Sequence, residues 1–491
     1  MSLHEFAPKL TLIKGAVWAV ATRWGIRGLG FINTIVMARL IMPSDYGVVA
    51  MAHLLVGLVF SLLDFGATTA LLRKDSVTRE EVDSAWTLKA IQGLAMAVLL
   101  LAFIPVGYLY FEDSRIETIL YVFAICIAIN GFSNIGLTLA QKKFDFLLEF
   151  KFQLSAKLLG VLVTVIAGWW LRDYRALVIG IATGYIGGTI LSFWMHPYRP
   201  RWNTNGIGAI WKVTRWLMLA NVGGFVLRKG DELVAARIGS AGEFGMYNVG
   251  SDLGQMATGE VGPAILKSFL PVLAAMSGVA SEINAAVLKT LRAVAAVTLP
   301  LGFGLAALSV PVTQLLLGSA WQDAAQYVAT FALVGALYAL AGPFSSLLTL
   351  RGETKGLSQA VWFEFIVFLI SSIILLPTFG LMGLVLARLC GAAVNLIFIS
   401  WLASQKCGVS FGGACGAIGR PLIGAILMYL AASSVLIFLD GEALSMLLVF
   451  FFGVLFFSVW CLVTWWIVGR PDGLESTLLE LFRGWRFPKI P

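Results

Sequence analysis

Long apolar segments separated by short polar turns run along the whole chain. Each segment has roughly 20 residues, enough to cross a hydrocarbon core about 30 Å thick as a helix. The pattern predicts fourteen membrane-spanning helices, at residues 12–38, 47–65, 85–110, 116–138, 152–171, 175–195, 212–238, 246–270, 288–316, 325–350, 359–377, 381–403, 420–438 and 444–468. The predicted fold class is therefore an all-α polytopic membrane protein.

A repeated motif indicates that part of this chain is duplicated. Residues 38–40 (Ala-Arg-Leu) and 45–47 (Asp-Tyr-Gly) return 198 positions later as residues 236–238 (Ala-Arg-Ile) and 243–245 (Glu-Phe-Gly). Each copy closes one apolar segment and opens the next. A second pair of similar segments lies 207 positions apart, at 176–184 and 383–391.

Six predicted spans separate the two copies of the motif, and an even number preserves orientation across a bilayer. The halves are therefore predicted to be parallel repeats, as in transporters that work by alternating access. The expected domains are an N-terminal six-helix lobe at 1–195, a cytoplasmic inter-lobe linker at 196–211, a C-terminal six-helix lobe at 212–404, and two extra transmembrane helices with a cytoplasmic tail at 405–491.

Composition and charge agree with a membrane protein. The chain has 491 residues, of which 59% are hydrophobic and 13% charged, whereas a soluble domain carries about 25% charge. When alternate loops are assigned to opposite sides, 25 basic residues, Lys157 among them, fall on the side of the termini and 5 on the other. The positive-inside rule then places both termini in the cytoplasm. The net charge of +8 is a topology signal, and nucleic acid binding is not expected.

Other common signatures are absent from the sequence. The first apolar segment is long and has no small-residue cleavage site, so it is expected to remain as a span. The five scattered cysteines form no C-x-x-C pair, so neither a disulfide framework nor a zinc site is expected. No G-x-x-x-x-G-K-[ST] motif occurs, which argues against ATP hydrolysis. No sizeable loop carries clustered acids for a metal-bound sugar nucleotide, so a glycosyltransferase, and an enzyme in general, is not expected.

Two arginines lie near the middle of the first predicted span. Arg23 and Arg27 are four residues apart and share a helix face with Gly30 and Thr34. Each costs about 2.5–3.5 kcal/mol at a lipid-facing helix centre, so both are expected to face protein or water. Because guanidinium groups bind phosphate oxygens bidentately, the pair is a candidate phosphate site. The alternative is a buried ion pair with an acid on another span.

The matching face of the seventh span is also polar. Arg228 can reach Asp231 or Glu232 one turn away, so this face is either a self-neutralised structural network or part of the site. Lys229 and Arg388 complete the candidate substrate-binding residues.

Four carboxylates are candidates for coupling transport to an ion gradient: Asp231, Glu232, Asp252 and Glu260. A buried carboxylate can be held protonated and can titrate when a cavity opens to water. The alternative is a hydrogen bond that packs helices. Glu364 and Arg388, which lie off-centre in the eleventh and twelfth spans, could instead reach toward an interface.

Two blocks of this sequence resemble a known family. The block from Arg23 to Gly47 resembles the first-helix signature of bacterial polysaccharide transporters, and the block from Arg228 to Asn248 resembles the segment that opens their second lobe. The resemblance, over spans 1–12, is to the Wzx-like lipid-linked oligosaccharide flippases of the multidrug/oligosaccharidyl-lipid/polysaccharide superfamily.

The resemblance implies a V-shaped pair of lobes that open alternately to each side of the bacterial inner membrane. The implied substrate is an undecaprenyl-pyrophosphate-linked repeat unit for exopolysaccharide, capsule or O-antigen. Membrane lipids, and a polysaccharide polymerase and glycosyltransferases, would be its partners. We expect a functional monomer with no cofactor, driven by an H⁺ or Na⁺ gradient. Three alternatives stay open: a peptidoglycan lipid-precursor flippase, a multidrug/cation antiporter of the same superfamily, and a non-transporting membrane scaffold.

Overall fold

The computed structural model describes residues 3–63, 71–72, 77–205, 207–259, 262, 265–266, 269, 273, 280–438 and 443–469. Over these residues the secondary structure is helical, with one 3₁₀ turn and no strand. The contacts divide the chain into two compact units, Met1–Gly245 and Met246–Pro491.

The first unit is a bundle of nine helices and the beginning of a tenth, among its described residues. In chain order they are α1 (Leu3–Leu40), α2 (Pro43–Leu63), α3 (Arg79–Ala102), α4 (Ile104–Phe111), α5 (Arg115–Gly131), α6 (Gly136–Lys142), α7 (Phe146–Leu171), α8 (Tyr174–Met195), α9 (Ile207–Ile238) and α10 (Ala241–Gly259). Helix α9, which the sequence analysis assigned to the second lobe, packs against α2 in this unit.

The second unit holds the rest of α10 and seven further helices in the part described. They are α11 (Ala280–Ala307), α12 (Ser309–Leu317), α13 (Ala324–Leu350), α14 (Thr354–Phe379), α15 (Leu381–Cys407), α16 (Phe411–Phe438) and α17 (Ala443–Ile467). One hydrophobic core joins α11, α13 and α15 with α16 and α17. The two helices predicted as additions to the repeat are therefore part of the packed core of this unit.

Ten of the described helices are long and apolar enough to cross a membrane. They are α2, α3, α7, α8, α11, α13, α14, α15, α16 and α17. The pair α5–α6, bent by 59°, raises the number to eleven if it forms one span. Helices α1, α9 and α10 also lie on predicted spans, but the first two carry several internal charges.

The ends of several helices differ from the predicted segments. The segment 85–110 divides at Phe103 into α3 and α4, since Pro105 occupies the first turn of α4, where proline is tolerated. Helix α7 begins six residues before its predicted start, because the Asp145 carboxylate accepts a hydrogen bond from the Leu148 amide (3.1 Å) and caps the helix.

Large apolar side chains on the outside of the helices identify the lipid-facing surface. Trp170 on α7 is 82% exposed, and Phe451 and Leu455 on α17 are each 65% exposed. A soluble protein does not expose apolar faces of this extent. The chain is therefore a multi-pass membrane protein.

The acidic residues of the repeated motif have structural partners. Asp45 accepts a hydrogen bond from Arg115 (2.9 Å), whose guanidinium also binds Asp113. Burial acts to raise the pKa of the Asp113 carboxyl, but the hydrogen bonds from Arg115 outweigh it and lower that pKa. Glu243 closes a capping box with Ser240 at the start of α10. The duplicated motif therefore organises helix turns.

The glycines of the two motif copies pack against each other reciprocally. A Cβ atom at Gly47 would lie 1.7 Å from the carbonyl oxygen of Ala241, and one at Gly245 would lie 2.1 Å from that of Pro43. Pro43 and Ala241 are equivalent positions at the 198-residue offset. Two backbones thus meet at a contact that has no space for a side chain, which explains why the motif ends in glycine.

The first part of the predicted linker, residues 196–205, is fastened to the first unit. Asp83, buried on α3, accepts hydrogen bonds from the Tyr198 hydroxyl (2.8 Å) and the Arg201 amide (2.9 Å). Burial raises the pKa of the Tyr198 phenol, and its hydrogen bond to Asp83 adds to the increase. The Asn134 amide donates to the carbonyl groups of His196 and Tyr198. Hydrogen bonds therefore hold residues 196–205 against the first unit, and we call this segment the docked strap.

Candidate functional site

Both arginines of the first span line a cavity inside the first unit. The cavity has a volume of about 830 Å³ and is bounded by α1, α6 and α7. Arg23 and Arg27 enter it from α1, whose 38-residue length carries the chain through this part of the unit without a break. Two guanidinium groups at this spacing bring several N–H donors to the side of the cavity formed by α1.

The same cavity is also lined by a carboxylate that two amides bind. Glu149 on α7 accepts hydrogen bonds from the side-chain nitrogen of Gln141 (2.5 Å) and from that of Gln153 (2.7 Å). Both glutamines also line the cavity. The cavity therefore has a cationic wall and a polar wall that orients one carboxylate, and Glu149 is an acid from another span, as the ion-pair alternative requires.

A second cavity, of about 400 Å³, adjoins the first and shares Ile26 and Gln153 with it. Its polar lining consists of Asn33, Asn130, Gln153, Lys157, Thr164 and Tyr185. The two cavities together follow the contact between α1 and α7.

Lys157 is a candidate residue that the sequence analysis missed. The charge count assigned it to the side of the termini, although it falls inside the predicted span 152–171, and the structure places it near the middle of the 26-residue helix α7. Lys89, which was counted in the same way, lies within α3, and its ammonium binds Ser133 (2.6 Å). The signal that could have found Lys157 is the stripe that it forms with Glu149 and Gln153 at a spacing of four residues.

The polar face of α9 contains an ion pair that was not predicted. Glu232 pairs with Lys229, three residues earlier. The Arg228 guanidinium lies beside Gly224, where a Cβ atom would be 3.3 Å from it. Side chains on a helix point toward its N-terminus, which favours this position. The contacts of Arg228 with Asp231 and Glu232 stay a prediction. Asp231 and Glu232 are 4% and 6% exposed.

Of the other two candidate coupling carboxylates, one is exposed and the other is not described by the structure. Asp252 is exposed on α10, in the second unit. Glu260 lies outside the residues that the structure describes.

Arg388 belongs to a polar cluster inside the second unit. Its guanidinium carbon lies 6.0 Å from the centre of the Tyr338 ring, within the range of a cation–π contact. The Tyr338 hydroxyl donates to one carboxylate oxygen of Glu364, and the Asn395 amide donates to the other. These bonds tie Glu364 to α13 and α15.

The structure therefore gathers the candidates into separate groups. Arg23 and Arg27 share a cavity, Lys229 and Glu232 form a pair, and Arg388 joins the cluster around Glu364. No group of three or more His, Cys, Asp or Glu side chains with the geometry of a metal site occurs in the described chain.

Comparison with known sequences identifies the family. The sequence profile of the family described as "Polysaccharide biosynthesis protein" matches residues 36–326, more than half of the chain. The chain belongs to the polysaccharide biosynthesis protein family. The match spans both copies of the repeated motif, whose glycines meet in the first unit.

Two relatives of this family member carry informative names. The chain is 22% identical to the lipopolysaccharide biosynthesis protein WzxC of Escherichia coli K12 over 401 residues, which cover 81% of this chain and 80% of WzxC. It is 21% identical to the succinoglycan biosynthesis transport protein ExoT of Rhizobium meliloti 1021 over 431 residues, which cover 86% of this chain and 85% of ExoT.

A solved structure is similar in fold over almost the whole length of this polysaccharide biosynthesis protein. The lipid II flippase MurJ, in an inward closed conformation, superposes with a TM-score of 0.74 at 14% sequence identity. The match covers 92% of this chain and 99% of MurJ. At this identity the similarity establishes the fold alone.

Proposed function

We propose that this protein translocates undecaprenyl-pyrophosphate-linked oligosaccharide repeat units across the bacterial inner membrane for surface polysaccharide biosynthesis. The observation that carries the proposal is the cavity with Arg23 and Arg27 on one wall, in a multi-pass protein of the polysaccharide biosynthesis family. A pyrophosphate head needs several fixed cationic donors at membrane depth, and guanidinium groups provide them. The names of WzxC and ExoT support the same pathway.

The proposed mechanism is alternating access by two six-helix lobes within fourteen spans, with both termini in the cytoplasm and the boundaries expected from the repeat. The long helices α1, α9 and α10 support the larger number of spans, because each lies on a predicted one. The protein would act as a monomer, beside a polysaccharide polymerase and glycosyltransferases. Its substrate-binding residues would be Arg23, Arg27, Arg228, Lys229 and Arg388.

The first test is where the substrate accumulates. Cells that lack this protein are expected to accumulate lipid-linked repeat units in the inner leaflet, and expression of the intact chain is expected to clear them. The measurement is the fraction of these lipids that a membrane-impermeant glycan-oxidising reagent reaches in spheroplasts. Accumulation of the peptidoglycan lipid precursor instead would indicate the alternative substrate. An unchanged leaflet distribution with lost polymer would indicate a scaffold.

An ion gradient, of H⁺ or Na⁺, would drive transport through the carboxylates Asp231, Glu232, Asp252 and Glu260. The low exposure of Asp231 and Glu232 supports this part of the proposal, because acidic residues inside the membrane-spanning part of a protein commonly mark ion pathways. We expect Asp231→Asn to remove most gradient-dependent translocation in vesicles while substrate binding is retained, since a neutral amide cannot cycle.

The control for that variant is Asp323→Asn, an exposed acid in the turn before α13, which should behave as the wild type. Translocation by Asp231→Asn at the wild-type rate, under both an imposed pH gradient and an imposed sodium gradient, would show that Asp231 has no coupling role.

A further inference from the structure

The second cavity is lined by Lys157, which the sequence analysis counted only as a topology signal. The Lys157 side chain crosses from α7 to α1, where its Cε and Nζ atoms lie 3.9 and 4.0 Å from the position that a Cβ atom of Gly30 would take. A Cβ atom there would be in ordinary van der Waals contact with the lysine, so the Lys157 side chain lies beside α1 at Gly30. Within the described ranges, no carboxylate lies within ion-pair distance of Lys157, and none lines this cavity.

The other polar groups of this cavity are amides and hydroxyls. Asn33, Asn130 and Gln153 each bring an amide, and Tyr185 brings a phenol. The side-chain oxygen of Asn33 is buried and makes no hydrogen bond among the described residues. Asn33 also lines the cavity, so the N–H groups of its amide are candidate donors to a bound anion. One ammonium group with several neutral donors suits the multiple oxygens of a phosphate.

Lys157 lies close to the arginine pair, so the second cavity can follow the first on the path of a transported phosphate. Gly30, which Lys157 contacts, is three residues beyond Arg27 on the same face of α1. That is about 4.5 Å along the helix axis, less than one turn. The two cavities also share Ile26 and Gln153 as walls. A phosphate that leaves the arginines along this groove meets the ammonium of Lys157 next.

We propose that the second cavity is a further phosphate subsite, in which Lys157 binds the phosphoryl oxygens of a polyprenyl-pyrophosphate headgroup beyond Arg23 and Arg27. This inference rests on the proposed function and adds a second station to the same path. The point charge of a lysine suits a transient station, because an ammonium lacks the bidentate fork of a guanidinium and holds a phosphate less firmly.

Chemical restoration of the charge tests the subsite. Exposed Cys390 and Cys415 are first replaced by serine, which leaves three buried thiols, and Lys157→Cys is added. We expect this variant to translocate at least about tenfold more slowly, in keeping with loss of a charge-assisted hydrogen bond. Treatment with aminoethyl methanethiosulfonate, which attaches an ammonium, should restore most of the rate. The sulfonatoethyl reagent, which attaches an anion, should not.

The matched control is Lys151→Cys, a lysine six residues earlier on α7 that lines neither of the two cavities, which should change the rate by less than about twofold. Since one preparation of Lys157→Cys is measured before and after treatment, a folding defect cannot produce the reagent dependence. A wild-type rate for untreated Lys157→Cys would overturn the proposal. Equal restoration by both reagents would also overturn it.

A binding measurement separates two sources of phosphate. Native mass spectrometry would compare farnesyl pyrophosphate, as the polyprenyl-pyrophosphate probe, with phosphatidylglycerol in neutral detergent. We expect Lys157→Gln to weaken farnesyl pyrophosphate binding about tenfold and to leave phosphatidylglycerol unchanged, relative to Lys151→Gln. Loss confined to phosphatidylglycerol would refute the subsite as a substrate station. If Lys157 variants translocate normally and arginine variants do not, only the second phosphate subsite is refuted. If both sets of variants translocate normally, the proposed substrate site is refuted as well.

Discussion

Replacement of Arg27 by alanine is expected to weaken binding of a polyprenyl-pyrophosphate by about 1.5–3 kcal/mol, the range for a hydrogen bond to a charged group. Export should fall by a similar factor, roughly 10- to 150-fold. Arg27→Lys should restore only part of the binding, because an ammonium lacks the planar fork. Arg27→Glu should abolish export by repelling the anion. The measurements are probe binding, export and protein abundance in the same cells.

The main competing explanation is a structural ion pair, and Glu149 makes it testable. Because this acid lines the same cavity, a structural role predicts that Arg27→Ala lowers abundance by leaving the carboxylate without its counter-charge, and that Arg27→Ala/Glu149→Gln recovers abundance and export together. A substrate-binding role predicts normal abundance and no recovery of export. Arg175→Ala, an exposed arginine on α8, is the control. Normal export by well-expressed Arg23→Ala/Arg27→Ala would rule out the site.

The second large effect is expected at the contact between the motif copies. Gly47→Ala would place a methyl group 1.7 Å from the carbonyl oxygen of Ala241, and Gly245→Ala would place one 2.1 Å from that of Pro43. Both obstacles are backbone atoms, so neither can move without shifting a helix. We expect each variant to lose about 3 kcal/mol of stability or more, seen as a lower thermal midpoint in detergent and reduced abundance.

The control for these variants is Gly28→Ala on α1, where a Cβ atom would have no neighbour within 4 Å. That change should be neutral or slightly stabilising, because alanine has the higher helix propensity by about 1 kcal/mol. If Gly47→Ala and Gly28→Ala unfold at the same temperature, the close contact between the motif copies is not a determinant of stability.

Hydrophobic periodicity was sufficient to locate the helices. The predicted segments fall on helices over most of the residues that the structure describes, with breaks at Phe103, at 132–135 and at Leu308, because roughly 20 apolar residues in lipid have few alternatives to a helix. The polar face of α1 was equally readable, since Arg23 and Arg27 stand out against an apolar background. Helix ends were less predictable. The start of α7 depends on a cap at Asp145, and the break after α3 depends on one proline.

The polar partners could not be predicted, for a physical reason. Glu364 binds Tyr338 and Asn395, which are 26 and 31 residues away on other helices, and no local pattern reports such a contact. On α9, both Arg228 and Lys229 lie within one turn of Glu232, and sequence spacing alone did not single out the ion pair that Lys229 forms with it. Lys157 was missed because it lies near the start of the predicted span 152–171, where a basic residue was counted only as a topology signal.

The docked strap at residues 196–205 is a poor site for inserting an affinity tag or a fluorescent domain. Its residues are hydrogen-bonded to Asp83 and Asn134, and an inserted domain would have to displace those bonds. The turn at Arg172 and Asp173, between α7 and α8, is exposed or partly exposed and carries few bonds of this kind. Reporters of movement are better inserted at that turn than in residues 196–205.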